Sequence, residues 1–344
     1  MKRRLVFLYP VTCILLILIV VLFCINLLKK EDEKNKQITQ EQKQEQEEKD
    51  LIENKSNQTI RVKMCKTGEI IAMDMNDYIR GVLPSEMPPS YDIEALKAQA
   101  LVARTFTYRK MQEHAEGPDA DICDNSGHCQ AFYMKDKLFD IWAGRGFDEA
   151  TRTEYWKKVN EAVVATQNQA IVYQGQYIKA FFHASSPEKT ENIDQIWGGE
   201  KLPYLVSVDN KESEDYANRT SIIGVPCEEM LAKLKEESAT YANLTVEDVK
   251  KTSICDYTTS GRVKNIQVGN CKVSAEKLRT LFGLKSTNFT IELQNENTVI
   301  FHVVGYGHGV GLSQVGADYL AKQGMKYEDI IKYYYKGVEI KTFS

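Results

Sequence analysis

One carboxylate, Glu86, stands among Pro84, Pro88 and Pro89 in the stretch GVLPSEMPPS at residues 81–90. An acid held this stiffly is a candidate for general acid/base work. A proline disfavours helical backbone in the residue before it, so Leu83 and Met87 are expected to be extended. A short helix at 76–82, capped by Asn76 and Asp77, would end before the acid. A longer helix at 92–114 would start after the Ser90–Asp92 cap region, with Leu96, Ala100, Ala103 and Phe106 on one face. Glu86 is then expected on an elbow between two helices. Composition alone favours a plainer role, an acid near a helix start that benefits from the dipole. Arg104, further along the second helix, has a planar guanidinium suited to a carboxylate. That carboxylate would be a ligand's or, as an ordinary ion pair, that of Asp92 or Glu94.

The loop EHAEGPDADICDNSGHC brings together His114, Cys123, His128 and Cys129, two of them drawn from only five histidines in the chain. Thiolates with imidazoles make a tetrahedral zinc site, and four protein ligands leave no open position, so such a zinc would be structural. A Cys123–Cys129 disulfide and free thiols remain the alternatives. Cys255 and Cys271 flank two expected strands around Ser260-Gly261, where they either pair or stay free, and Cys65 with Cys227 is a further possible pair.

His183, Ser185 and Ser186 follow the alternating strand AIVYQGQYIKAFFHAS without the G-x-S-x-G elbow of a serine hydrolase. They suit sugar hydroxyls better, together with Thr190; Trp197 either stacks on a pyranose or packs in the core. The stretch VVGYGHGVGLSQVGA lacks the third glycine of a dinucleotide fingerprint and the lysine of a P-loop. Close backbone approach to a bulky glycan accounts for its glycines, with His308 and Gln314 as hydrogen-bonding groups. Gln99 and Tyr306 complete the candidate substrate-binding set.

These groups need a scaffold outside the cytoplasm. Residues 5–28 carry no charged side chain and are long enough to span a bilayer, with MKRR on the short side. The expected arrangement is a cytoplasmic tip at 1–4, a single transmembrane helix at 5–28, a Lys/Glu/Gln-rich stalk at 29–59 and an extracytoplasmic domain at 60–344. That places the protein in the cell membrane with a cytoplasmic N-terminus. From residue 60 onward the Asp and Glu outnumber the Lys and Arg, 39 against 34, which argues against a nucleic-acid binder. Expected fold class is α+β: a mixed ectodomain with a catalytic cleft and an inserted smaller subdomain at about 211–300. Further helices are expected at 153–168, 226–237, 245–250, 274–281, 313–323 and 327–335.

LPSEMP, EALKAQALVARTFTYR, FFHASSPEKTENIDQIWGGEKLPYLVSVD and GYGHGVGLSQVGA, in this order, resemble the stage II sporulation protein D family, which includes the amidase-enhancer proteins of bacterial cell walls. The resemblance spans roughly residues 60–338. It departs at PEKT, where a Gly-Gly-x-Thr-like turn is common. It implies a lytic transglycosylase that cuts peptidoglycan glycan strands, stripped of stem peptides, to 1,6-anhydro-muramic acid ends during sporulation engulfment. Glu86 would be the single general acid/base, and Arg104 would engage the free lactyl carboxylate of muramic acid. Implied partners are a cell-wall amidase or endopeptidase and a membrane-anchored engulfment protein; no cofactor is required for the chemistry. Two other classes compete, a non-catalytic glycan-binding enhancer of an amidase and a zinc-dependent hydrolase.

Overall fold

The computed structural model describes residues 29, 30, 34, 55, 56 and 58–343. The expected span at 5–28 and most of the 29–59 stalk lie outside these residues. Among the described residues no helix is long and apolar enough to cross a membrane. Every candidate site residue belongs to the unit that begins at Ser56.

Strand β1 (Thr59–Lys63) pairs antiparallel with β2 (Ile70–Asp74) and parallel with β3 (Ile122–Cys123). Helix α1 (Met75–Glu86) leaves β2 directly, because the Asp74 carboxylate accepts the Asn76 N–H at 2.8 Å and caps the first turn. It does not stop at residue 82. Pro84 is inside it; the Ser85 hydroxyl donates to Gly81 O at 2.6 Å and the Met87 N–H to Leu83 O at 2.9 Å, which keeps the last turn closed around the proline. Leu83 is therefore helical, and only Met87 takes the extended backbone expected of a residue before proline.

Helix α2 (Ile93–Glu113), capped by Asp92 on the Glu94 N–H at 2.9 Å, is the axis of the fold. Its Ala95, Leu96, Ala98, Ala100, Leu101, Val102 and Ala103 are all fully buried, so it is enclosed on every side rather than amphipathic. Around it pack α1, α4 (Glu149–Ala165), α9 (Gln314–Lys322), α10 (Tyr327–Tyr334) and β4 (Gln169–Tyr173). Strand β4 sits between β16 (Glu339–Thr342) and β5 (Gln176–Tyr177). Two helices carry no strong sequence signal: α3 (Lys135–Gly144) and the short α5 (Ile193–Trp197). Helix α4 starts at 149 rather than 153 because Asp148 caps it through the Thr151 N–H at 2.8 Å.

The chain builds two apolar cores. One takes its buried residues from Ile60 to Val208 and again from Val310 to Val338. The second takes them from Val225 to Val303, from the sheet β13–β14–β9 (Phe289–Gln294, Thr298–Val304, Thr220–Pro226), the sheet β10–β11–β12 (Ser253–Tyr257, Val263–Val268, Cys271–Ser274) and the helices between their strands. Helices α6 (Cys227–Glu237), α7 (Val246–Lys250) and α8 (Ala275–Phe282) accompany these sheets. The architecture is thus mixed α and β, with short sheets around a buried helix. All six described cysteines are free thiols, Cys255 and Cys271 among them.

Gly81 on α1 decides how closely the chain after Cys129 can approach this helix. A Cβ there would stand 2.6 Å from Tyr133 O and against the Phe132 ring. Gly81→Ala is expected to cost ~1–3 kcal/mol of stability, read as a lower denaturation midpoint, by forcing that loop off the helix. An unchanged midpoint would show that the close approach is not tight.

Candidate active site

Glu86 is the last residue of α1, which reverses the plainer sequence expectation: the acid meets the negative end of a helix dipole, not the positive end. Burial is the larger influence and raises its pKa; one backbone N–H, from Ala131, donates to Oε1 at 2.6 Å and opposes the rise. The carboxyl opens onto a pocket of about 330 Å³ lined by Pro84, Pro88, Pro89, Tyr133, Trp142, Arg145, Phe147 and Tyr155. Glu86 is the only carboxylate in this lining among the described residues. The aromatic wall comes from the unexpected α3 (Trp142), the residues flanking it (Tyr133, Phe147) and α4 (Tyr155): Trp142 and Phe147 both meet the Tyr155 ring edge-on, at 5.9 and 5.4 Å between centroids.

The segment that delivers the Ala131 N–H is anchored step by step. Gln130 donates to Thr107 Oγ1 at 3.2 Å, and Phe132 stacks on Tyr78 of α1 at 5.2 Å. Just upstream, Glu116, Cys123, His128 and Cys129 each place one donor atom within 4.8 Å of the other three. His128 Nδ1 lies 3.5 Å from Cys123 Sγ and 3.6 Å from Cys129 Sγ, and Cys129 Sγ lies 3.2 Å from Glu116 Oε1. His128 Nδ1 lies 2.7 Å from Glu116 Oε1. Tetrahedral zinc with bonds near 2.0–2.3 Å needs its ligands about 3.3–3.8 Å apart, so the two thiols and the imidazole stand close to that spacing and Glu116 would have to move outward to complete it. The expectation for His114 is corrected. It terminates α2 in left-handed backbone with φ of 49°, and its exposed side chain is outside the cluster. Glu116 takes the fourth place, a residue missed because carboxylates are too common in this sequence to stand out.

Arg104 is also placed differently from expectation. Its side chain is fully buried, donating to Asn76 Oδ1 at 2.9 Å and Val163 O at 3.2 Å, and burial lowers its pKa to about 10. It cannot reach a substrate there, nor does it pair with Asp92 or Glu94; Asp92 caps α2 and Glu94 pairs with Lys97 at 3.0 Å. Arg104 instead ties α2 to α1 and α4. Gln99 is buried beside Gln314, at a long 3.4 Å.

The remaining candidates gather elsewhere, around the parallel pair β6 (Phe182–His183) and β15 (Leu312–Ser313), and none lines the Glu86 pocket. Ser185 and Ser186 are fully buried and bound to their own chain. Glu212 accepts from the Ser185 hydroxyl at 2.5 Å, the Ser186 N–H at 2.6 Å, the Ser313 hydroxyl at 2.6 Å and the Asn210 amide at 2.8 Å. Thr190 Oγ1 accepts the Val208 N–H at 2.9 Å. His183 is buried, with Nδ1 donating to Val310 O at 3.2 Å, and His308 Nδ1 accepts the Val310 N–H at 3.0 Å. Burial pushes His183 well below its usual range and His308 down to about 3, so both rings are neutral. Only Tyr306 and Trp197 of this group are substantially exposed.

The glycines make close approach to their own chain. A Cβ on Gly309, at φ 83°, would meet Arg262 Cζ at 2.6 Å, and one on Gly311 would strike Phe181 O. Arg262, from the second core, reaches in and donates to Ser186 Oγ at 2.5 Å. Glu212 and Arg262 organise this cluster, yet no local pattern marks either one in the sequence.

Residues 63–173 match the profile of the family described as Stage II sporulation protein, a stretch that holds Glu86, Arg104 and the Cys/His loop. Stage II sporulation protein D of Bacillus subtilis (strain 168) is 32% identical over 271 residues, covering 77% of this chain and 74% of the relative. Its counterpart in Bacillus amyloliquefaciens is 34% identical over 275 residues, with the same coverage of 77% and 74%. The amidase enhancer of Bacillus subtilis (strain 168) is 26% identical over 312 residues, 77% of this chain but 40% of its own length. With a third of positions identical across most of its length, the chain belongs to the stage II sporulation protein D family.

Proposed function

We propose that this protein is a membrane-anchored lytic transglycosylase of peptidoglycan, acting on glycan strands freed of stem peptides. Glu86 carries the proposal: a buried carboxyl group of raised pKa that faces an aromatic-lined pocket with no second carboxylate in its lining among the described residues. A glycosidase that uses water needs two such groups. One suffices when the sugar supplies its own nucleophile. The protonated Glu86 donates to the glycosidic oxygen as the bond to C1 breaks. The 6-hydroxyl of the same muramic acid bonds to C1 and returns its proton to the carboxylate. Aromatic faces at Tyr133, Trp142, Phe147 and Tyr155 suit the apolar faces of pyranose rings. Residues 5–28 would hold the domain outside the membrane, beside its wall substrate and the amidase or endopeptidase that strips it. The relative named as an amidase enhancer favours a second role, glycan binding that stimulates an amidase.

Glu116, Cys123, His128 and Cys129 would hold a zinc ion whose closed shell fixes the loop that reaches Glu86. The ion takes no part in the reaction; the loop's own task is to aim the Ala131 N–H and seat Phe132 on α1.

Glu86→Gln is expected to lower formation of 1,6-anhydro ends on peptide-free glycan by about 10²–10⁴-fold, read by mass spectrometry, whereas an enhancer without catalytic activity would be indifferent. Because the general acid must start protonated, wild-type activity should fall as pH rises through the elevated Glu86 pKa, above the ordinary glutamate range. Burial of the ionised form costs stability over that same rise, so Glu86→Gln should be no less stable than the parent at alkaline pH. A lower midpoint there would point to misfolding instead.

Elemental analysis of the purified chain should find about one zinc per chain, retained in His114→Ala and lost in Cys123→Ser and Glu116→Ala. Zinc loss in His114→Ala with retention in Glu116→Ala would overturn the ligand set.

A further inference from the structure

Burial of Arg104 leaves the proposed substrate's most distinctive group without a receiver. Peptidoglycan freed of its stem peptides carries a lactyl carboxylate on each muramic acid, and an anion entering a partly apolar pocket needs a cation. Arg145 is the only cationic side chain in the lining of the Glu86 pocket among the described residues. It is exposed and has no carboxylate partner among them. Its backbone is nonetheless fixed: the N–H closes the end of α3 onto Ile141 O at 3.1 Å and Trp142 O at 3.2 Å, and Gly146 turns the chain at φ 88°. A positioned backbone with an uncommitted guanidinium is an arrangement available to a ligand.

We propose that Arg145 receives the free lactyl carboxylate of muramic acid across the pocket from Glu86, making this arginine the residue that selects peptide-free glycan. The inference rests on the glycan-cleaving function proposed above and adds its specificity determinant. The size of the pocket agrees with it. A pocket of about 330 Å³ is at the small end of the ligand range, sized for about one or two pyranose rings rather than a glycan with its peptide attached. The amide that links a stem peptide to the lactyl group carries no charge there and offers the arginine no bidentate acceptor.

Equilibrium binding to the full-length chain separates this inference from the question of cleavage. The probes are short glycan oligosaccharides with lactyl groups either free or capped as methyl amides. The non-cleaving Glu86→Gln protein should bind the free acid about ten- to a hundredfold more tightly than the amide. Adding Arg145→Gln should bring that ratio close to unity, and Arg145→Lys should restore part of it. The same ratio with and without Arg145, or no preference in Glu86→Gln, overturns the assignment. If wild type yields no 1,6-anhydro ends while the preference persists and depends on Arg145, the cleavage proposal fails and the arginine's role stands.

Discussion

A single backbone hydrogen bond, from the Ala131 N–H to Glu86 Oε1 at 2.6 Å, joins the two halves of the candidate active site. Everything nearby serves to hold its two ends. On one side α1 is wound through Pro84 so that it ends at the acid, closed by the Ser85 hydroxyl and the Met87 N–H. On the other, the Cys/His/Glu cluster, the Gln130 amide and the Phe132–Tyr78 stack fix the loop, and the absence of a side chain at Gly81 lets that loop lie against the helix. The bond also sets a balance. It stabilises the ionised carboxylate, while burial and the helix end favour the neutral acid, and burial is the stronger influence. A group balanced in this way can both give and take a proton, which a lone acid/base must do.

The second cluster shows that polar residues beside a glycine-rich strand end are not thereby a binding site. Ser185, Ser186 and Thr190 spend their hydrogen bonds on Glu212, Lys189 and Val208 of their own chain, and His183 bonds Val310 O through Nδ1 while its buried Nε2 has no partner among the described residues. The larger depression nearby, about 810 Å³, includes Glu212 in its lining, but this carboxylate already accepts four hydrogen bonds from the protein. Buried polar groups satisfied internally fix a fold. Arg262, reaching from the second core to Ser186 past Gly309, ties the chain between 220 and 304 to this network.

The sequence reveals the acid and most helices because both leave local marks. Pro84, Pro88 and Pro89 flag Glu86, and Asp or Ser caps flag the starts of α2, α8 and α9. It conceals what depends on distant packing. Arg104 bonds Asn76 and Val163 instead of lining the pocket, and the sequence hides this because α2, buried on all sides, has no apolar stripe from which a face can be read. Pro84 does not stop α1 because a serine hydroxyl and tertiary contacts compensate locally. The aromatic wall is hidden because α3, KDKLFDIWAG, is short, and its Leu138 and Trp142 are its only fully buried residues. Glu116 and Arg145 look like any other surface charge until the fold places one among thiols and the other in the lining of the acid's pocket.

Cleavage of peptide-free glycan in water enriched in oxygen-18, followed by mass spectrometry of the new ends, tests the single-carboxylate account most directly. Attack by the sugar's own 6-hydroxyl admits no solvent oxygen, so the muramic acid ends should be unlabelled anhydro products, and the yield should depend on Glu86. Reducing ends that carry the heavy oxygen would mean that water is the nucleophile. They would require a second carboxylate that the lining of the Glu86 pocket does not contain among the described residues.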